Sequence, residues 1–361
     1  MHTKALEILK EIEKHGFEAY IVGGYVRDYY MSIDSFDVDI CTNAKPKDLI
    51  KIFKDAILLI DIYGSVTLKY KGVRFEITTF RKELKYVDRR PVELEYIDDL
   101  KEDIERRDFT INSLCMDSNE KIIDLFDGKK DIDKRIIRCL GDPKIKFYED
   151  PFRILRAIRF ATTLNFKLDK DTIIGIKENM MYLKNISYDR KKSELNKIFG
   201  SNNSKYGIKL LYSLGIDKYL DINLNKIRIT TDILGMWAQV DTDLYPFTKI
   251  EKNIIDDIKV IVGNKTISKY EIYKYGLYKT TIAAEILGIN KNVIVKLDRN
   301  LKIHSKKDIK ITTDEIIKIL NKNPGSWISD IYDDLEKKII SGKLKNENDK
   351  ISDYISKNYI N

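Results

Sequence analysis

The chain has 361 residues, 65 Lys and Arg against 57 Asp and Glu (net charge +8), 43% hydrophobic and 34% charged residues. That composition describes a globular protein long enough for two or more cores, and no run approaches the roughly 20 apolar residues of a membrane span, so no membrane partner is expected. Three scattered cysteines and three histidines make no zinc spacing; an acidic, apolar-poor start excludes a secretory signal, and a reducing cytoplasm is the expected location.

The first 140 or so residues alternate short strand and helix signals. Residues 19–22 read as a strand running into Gly23-Gly24, 25–31 as a helix, 36–41 as a strand, and 46–54 as a helix with Thr42 and Asn43 available as caps. Residues 66–70 and 73–79 form a hairpin pattern around Lys71-Gly72. The charged stretch 81–95, which includes Arg89-Arg90-Pro91, has no clear period and reads as a mobile loop; 107–116 mixes a helix end with a short strand. Beyond Gly141 apolar residues recur at helical spacing almost to the end, with joints at 200–204 and 263–264. The residue pattern alone gives an α/β head followed by a long helical arm. A locally basic stretch at 291–310 suits either a solvated helix face or phosphate contact.

Asp37-Val38-Asp39 follows Gly23-Gly24-Tyr25-Val26-Arg27-Asp28 closely. On a strand, Asp37 and Asp39 share a face, and two adjacent carboxylates repel unless a cation lies between them. Mg²⁺ is bound by one or two carboxylates plus substrate phosphates, so the pair points to metal-dependent phosphoryl or nucleotidyl transfer. Glu76, mid-strand between apolar neighbours, is the candidate third carboxylate, with a surface salt bridge as the plain alternative. Gly24 offers close approach to a phosphate, and Arg27 a forked donor for a triphosphate.

Downstream, Asp150 and Arg153 are three residues apart, neighbours on a helix face. An acceptor beside a donor complements the donor–acceptor edge that cytosine and adenine share, and opposes that of uracil and guanine. Asp150 is equally well placed as an N-cap ahead of Pro151. Arg156 and Arg159 continue round the helix, as nucleotide contacts or as solvated arginines. Arg107 and Asp108 suit a sugar and phosphates, with Asp108 accepting from a ribose 2′-hydroxyl, or a surface ion pair.

Gly23-Gly24-Tyr-Val-Arg27-Asp28, Asp37-Val-Asp39-Ile-Cys-Thr42, Arg106-Arg107-Asp108-Phe109-Thr110-Ile-Asn112 and Glu149-Asp150-Pro-Phe-Arg153-Ile-Leu-Arg156-Ala-Ile-Arg159-Phe160 resemble, in order, the motifs of class II tRNA nucleotidyltransferases, the bacterial CCA-adding enzymes and their poly(A) polymerase relatives. Ile186-Ser-Tyr-Asp-Arg190 and the stretch from Gly325 onward resemble the family's next helical motif and the tail of its Gram-positive members. The resemblance implies an α+β fold: a polymerase-β-like, mixed-sheet nucleotidyltransferase head (1–139), then an all-α neck (140–199), body (200–270) and tail (271–361). It implies Mg²⁺ as cofactor, CTP and ATP as donors and the tRNA 3′ end as acceptor. Asp37 and Asp39 become metal ligands and Glu76 the third carboxylate; Gly24, Arg27, Arg107, Asp108, Asp150, Arg153, Arg156 and Arg159 become nucleotide contacts. The expected activity is stepwise addition of C, C and A; CC-only or A-only addition and poly(A) synthesis are the alternatives. Met31-Ser32, Asp34, Phe152, Ser113 and Cys115 depart from the usual pattern without removing a functional group.

Overall fold

The computed structural model describes residues 1–54, 58–60, 65–87 and 90–360, which form two compact units, Met1–Ile222 and Asn223–Asn361. Arg89, within the charged 81–95 stretch, lies outside the described residues.

The first unit opens with helix α1 (His2–Lys14), which buries Ala5, Ile8, Leu9 and Ile12, one face at helical spacing. Strand β1 (Ala19–Val22) leads into α2 (Gly24–Tyr30), then β2 (Asp39–Thr42) and α3 (Pro46–Ile52). Strands β3 (Leu58–Ile60), β4 (Ser65–Tyr70) and β5 (Val73–Thr79) complete the head's central part, with β4 and β5 turning at Lys71-Gly72 as expected. After α4 (Leu100–Glu105) come the short strands β8 (Cys115–Met116) and β9 (Ile122–Ile123). The sheet order is β3-β4-β5-β2-β1-β8-β9. Only β2 and β5 run parallel; the other neighbours are antiparallel, so the sheet is mixed.

Three local expectations change. The second strand begins at Asp39, not residue 36: its antiparallel partner β1 ends at Val22, opposite Asp39, although β5 on the other side continues back from Glu76 to Val73. Thr42 and Asn43 do not cap α3. Thr42 Oγ1 donates to the Glu18 carbonyl (2.5 Å) and Asn43 Oδ1 accepts from the Glu18 N–H (2.8 Å), so both tie down the strand entry instead. The 81–95 stretch is not a loop but an antiparallel hairpin, β6 (Arg81–Val87) with β7 (Arg90–Tyr96). Register shifts between residues 83 and 86 break the alternation, which hides the two-residue period from the sequence.

Helices then dominate: α5 (Gly128–Asp133), α6 (Pro143–Glu149), α7 (Phe152–Leu164), α8 (Lys170–Asn179), α9 (Tyr188–Phe199) and α10 (Ser204–Ser213). Helix α7 buries Ile154, Leu155, Ala157, Ile158 and Ala161. Gly207 on α10 lets that helix approach closely: a Cβ there would overlap Thr162 Oγ1 on α7 and stand 2.7 Å from Ile198 on α9.

The second unit consists of α11 (Ile233–Trp237), α12 (Lys249–Gly263), α13 (Lys269–Leu287), α14 (Lys291–Arg299), α15 (Thr313–Leu320), α16 (Trp327–Ile340) and α17 (Asn348–Tyr359). Thr248/Glu251, Ser268/Glu271 and Thr312/Glu315 form capping boxes. Its core gathers Ile272, Ile294, Ile316, Leu335, Ile351 and Ile355. No helix among the described residues is long and apolar enough to cross a membrane.

Candidate active site

The Gly-Gly turn is set by Gly23, whose φ of 74° is in the region that favours glycine; its N–H donates to the Leu114 carbonyl at 3.3 Å. Gly24 opens α2 with ordinary space around it, a Cβ there meeting Arg27 Nη2 at 3.6 Å.

Across the parallel ladder Asp39 is paired with Glu76, while Val38, Ile40, Phe75 and Ile77 are buried on the opposite face. Asp37 lies one pleat beyond the last ladder pair; it, Asp39 and Glu76 are all exposed. Asp39 and Glu76 are paired across the ladder, whereas Asp37 stands before the first residue of β2, near enough for its charge to act on Asp39. Although Asp39 keeps solvent-exposed surface, the atoms crowded around its carboxyl desolvate it and, with the charges of Asp37 and Glu76, push it up to about 6, Arg107 pulling the other way. Among the described residues no three His, Cys, Asp or Glu side chains are gathered closely enough to enclose a metal ion. The donor set is all hard oxygen, arranged along one edge. It fits a divalent cation that completes its shell from water and phosphate oxygens.

A cavity of about 370 Å³ opens beside Asp39, lined by Gly23, Gly24, Arg27, Asp108, Asp150 and Arg153, with Arg106, Arg107, Asn112, Arg156 and Phe160 completing the wall. Five arginines face three carboxylates there, so the cavity favours an anion. Arg27 is held flat: Nε donates to Asp28 Oδ1 (2.9 Å) and Nη1 to Asn112 Oδ1 (2.7 Å). Asp108 is gripped from all sides, accepting from its neighbour's N–H (Phe109, 2.8 Å), Asn112 Nδ2 (3.1 Å) and Arg156 Nε (2.7 Å). Burial raises the Asp108 carboxyl, but Arg156 and Asn112 outweigh it and hold it below the usual carboxylate range. Its oxygens are already engaged in holding Arg156.

Arg107 and Arg153 are different. Arg107 Nε and Arg153 Nη1 are buried donors with no protein partner among the described residues. A buried N–H left unpaired costs free energy, which a ligand in the adjoining cavity would recover. Arg153 Nη2 is fixed to the Arg106 carbonyl (2.9 Å), leaving Nη1 as its unengaged corner.

Asp150 is not on the helix with Arg153. Its φ of −137° and ψ of 94° place it between α6 and α7, and Pro151, not Asp150, occupies the N-cap position of α7. The i, i+3 helix-face argument therefore does not hold as stated; a turn closed by the Arg153 N–H on the Asp150 carbonyl (3.1 Å) brings both residues to the cavity. Asp150 Oδ1 accepts from the Phe152 N–H at 3.1 Å, and Oδ2 has no protein donor among the described residues. One oxygen caps; the other is available.

Arg159 does not line the cavity. Its Nε donates to the buried Glu194 (2.5 Å), and its guanidinium stacks 3.7 Å from the centre of the Phe160 ring. Arg27 and Arg156 also lie over that ring, at 5.2 and 5.4 Å. Arg106, Asn112 and Phe160 line the cavity without having been singled out, although all three stand inside the motifs already quoted.

A mixed sheet carrying paired carboxylates, with an arginine-lined cavity beside them, defines a nucleotidyltransferase. Residues 19–138 match the Poly A polymerase head domain, 165–221 the probable RNA and SrmB-binding site of polymerase A, and 247–355 tRNA nucleotidyltransferase domain 2. The chain is 32% identical to the CCA-adding enzyme of Staphylococcus haemolyticus (strain JCSC1435), over 99% of this chain and 98% of that one. It is 34% identical to the CCA-adding enzyme of Ligilactobacillus salivarius (strain UCC118), over 95% and 93%. The crystal structure of the Bacillus stearothermophilus CCA-adding enzyme in complex with CTP superposes with a TM-score of 0.82 at 27% identity, covering 98% of this chain and 96% of that one. The chain belongs to the CCA-adding enzyme family and is a tRNA nucleotidyltransferase of the type found in Gram-positive bacteria, with an α+β head and a mainly helical remainder; the expected all-α neck holds one short strand, Lys167–Leu168, paired in parallel with Ile136–Ile137.

Proposed function

We propose that the protein adds C, C and A stepwise to the 3′ end of tRNA, taking CTP and ATP as donors and releasing pyrophosphate without a nucleic-acid template. The observation that carries this reading is the Asp150–Arg153 pair at the cavity wall, which offers one unengaged acceptor and one unengaged buried donor. Cytosine and adenine both present an amine donor next to a ring-nitrogen acceptor. Each can satisfy Asp150 Oδ2 and Arg153 Nη1 together; uracil and guanine present the reverse order and leave both unpaired.

The donor phosphates lie along the arginine-lined side of the cavity, where Arg107 Nε is the free donor, Arg27 supplies fixed positive charge and Gly24 leaves room for close approach. Asp37 and Asp39 would hold magnesium, with Glu76 as the third carboxylate. Two such ions, when bound, lower the pKa of the attacking hydroxyl and stabilise the leaving oxygen. The acceptor's terminal hydroxyl oxygen bonds to the α-phosphorus as the bond to pyrophosphate breaks. Asp108 and Arg156 brace one another and shape the sugar side of the cavity, and Arg159 braces Glu194 and Phe160. We assign 1–139 to the head, 140–199 to the base-reading neck, 200–270 to the body and 271–361 to a tRNA-holding tail, in a cytoplasmic enzyme.

The experiment is a gel assay with tRNAs lacking CCA, ending in C or ending in CC, each given one nucleotide at a time. Addition of C to the first two and of A to the third supports the reading. A single active step would make this a partial enzyme, a long A-tail a poly(A) polymerase, and undiminished turnover by Asp39→Ala would remove the metal assignment.

A further inference from the structure

We propose that Asp103, outside the cavity and away from any reacting atom, is a positioning residue for base selection. It is fully buried on α4, 0% exposed. Its Oδ1 accepts from Arg106 Nε (2.9 Å) and Nη2 (2.7 Å) and from the Arg81 backbone N–H (3.2 Å). Its Oδ2 accepts from Arg107 Nη2 at 3.1 Å. One carboxylate thus spans two consecutive guanidiniums that both line the cavity and ties them to the first residue of β6.

Two positive groups side by side repel, and long side chains have many rotamers to escape into. With its two oxygens divided between them, Asp103 confines both to one arrangement and cancels part of the repulsion. That arrangement leaves Arg107 Nε pointing at no protein acceptor. It also fixes the turn at Arg106, whose carbonyl holds Arg153 Nη2 at 2.9 Å and so selects which corner of Arg153 is left unengaged. Without the buried carboxylate, the freed guanidiniums would compete for Asp150 and Asp39 at the cavity wall, and the acceptor–donor pair facing the base would lose its spacing. The inference rests on the reading that Asp150 and Arg153 face the incoming base.

The test is the CTP-to-UTP ratio of kcat/KM on tRNA lacking CCA, with tRNA retention measured by gel shift. Asp103→Glu keeps the charge and displaces it; Asp103→Asn keeps the shape and removes the charge; Arg153→Lys is the control for base reading. A displacement of about 1 Å at a positioning group lowers rates by up to about a hundredfold, so a ten- to hundredfold fall in the ratio is expected for both Asp103 variants, with tRNA retention unchanged. A general loss of structure would lower CTP and UTP turnover together and leave the ratio alone. A folded variant with the wild-type ratio, while Arg153→Lys loses it, overturns the proposal. Failure of both variants to fold assigns Asp103 to stability alone and overturns it too. If Arg153→Lys itself keeps the ratio, it is the base-reading assignment that fails.

Discussion

Asp150→Asn separates the two duties of one side chain. In the folded protein Oδ1 caps α7 through the Phe152 N–H at 3.1 Å, and Oδ2 faces no protein donor among the described residues. Asparagine must turn its one oxygen toward that N–H, which places the amide nitrogen where Oδ2 was. Either side chain offers an oxygen to the Phe152 N–H, so stability should change by less than about 0.5 kcal/mol and Tm by no more than about 2 °C. The base, however, now meets a donor in place of an acceptor. Losing one hydrogen bond to a charged group costs about 1.5–3 kcal/mol, or roughly ten- to 150-fold in kcat/KM for CTP. UTP, whose carbonyl can accept from the new amide, should gain about 1 kcal/mol, so the preference for CTP over UTP should fall by about two orders of magnitude. Asp150→Ala would instead lose the hydrogen bond to the Phe152 N–H as well, lowering stability by about 0.5–1.5 kcal/mol. Single-nucleotide kinetics on tRNA lacking CCA, beside a thermal melt, decide the matter. An Asn variant that melts like the wild type and still prefers CTP to the original extent would refute base reading and leave Asp150 as a cap.

The raised Asp39 carboxyl makes cation binding and stability pH-linked. Because its folded pKa of about 6 lies above the unfolded value, protonated Asp39 favours the fold below about pH 4, and that contribution is lost as pH rises through 6. Magnesium should therefore raise Tm more at pH 8 than at pH 5, and equal shifts at both would rule out Asp39 as a ligand. Gly207→Ala should destabilise by about 1–2 kcal/mol in a thermal melt, because the overlap with Thr162 outweighs the gain in helix propensity; a stabilised variant would mean the three helices have slack. Arg159→Met leaves the buried Glu194, among the described residues, with Lys197 at 3.1 Å as its ion-pair partner, and should cost about 3 kcal/mol, roughly 6–12 °C in Tm. An unchanged melt would show that the pair carries no stability.

The parts of this molecule that were readable beforehand are those where local pattern and tertiary role coincide. The strand Ala19–Val22 and the β4–β5 turn at Lys71-Gly72 follow directly from an apolar run and a glycine. Helix breaks fall at 200–203 and 264–268, where the chain has glycine next to polar residues. Glu76 was legible as a mid-strand carboxylate from its apolar neighbours, but Asp37 lies before β2, where strand alternation does not fix its face. What was not legible depends on who pairs with whom. The start of β2 coincides with the end of its neighbour β1 at Val22. The 81–96 hairpin is masked by its own bulge. Asp150 leaves the helix because Pro151 takes the cap position, so its approach to Arg153 comes through a turn. Asp103 had no signature of its own; its importance comes only from being buried between two arginines.

Helix α7 carries Arg153, Arg156 and Phe160 at the cavity, while Ile154, Leu155, Ala157, Ile158 and Ala161 anchor it in the core. Accuracy and cohesion therefore share a single rod. If Arg153 reads the base as proposed, any loosening of that anchorage, by heat or by a small cavity beneath it, would tilt the nucleobase gauge before the molecule melts, and misincorporation at the end of the acceptor strand would be the earliest symptom of instability.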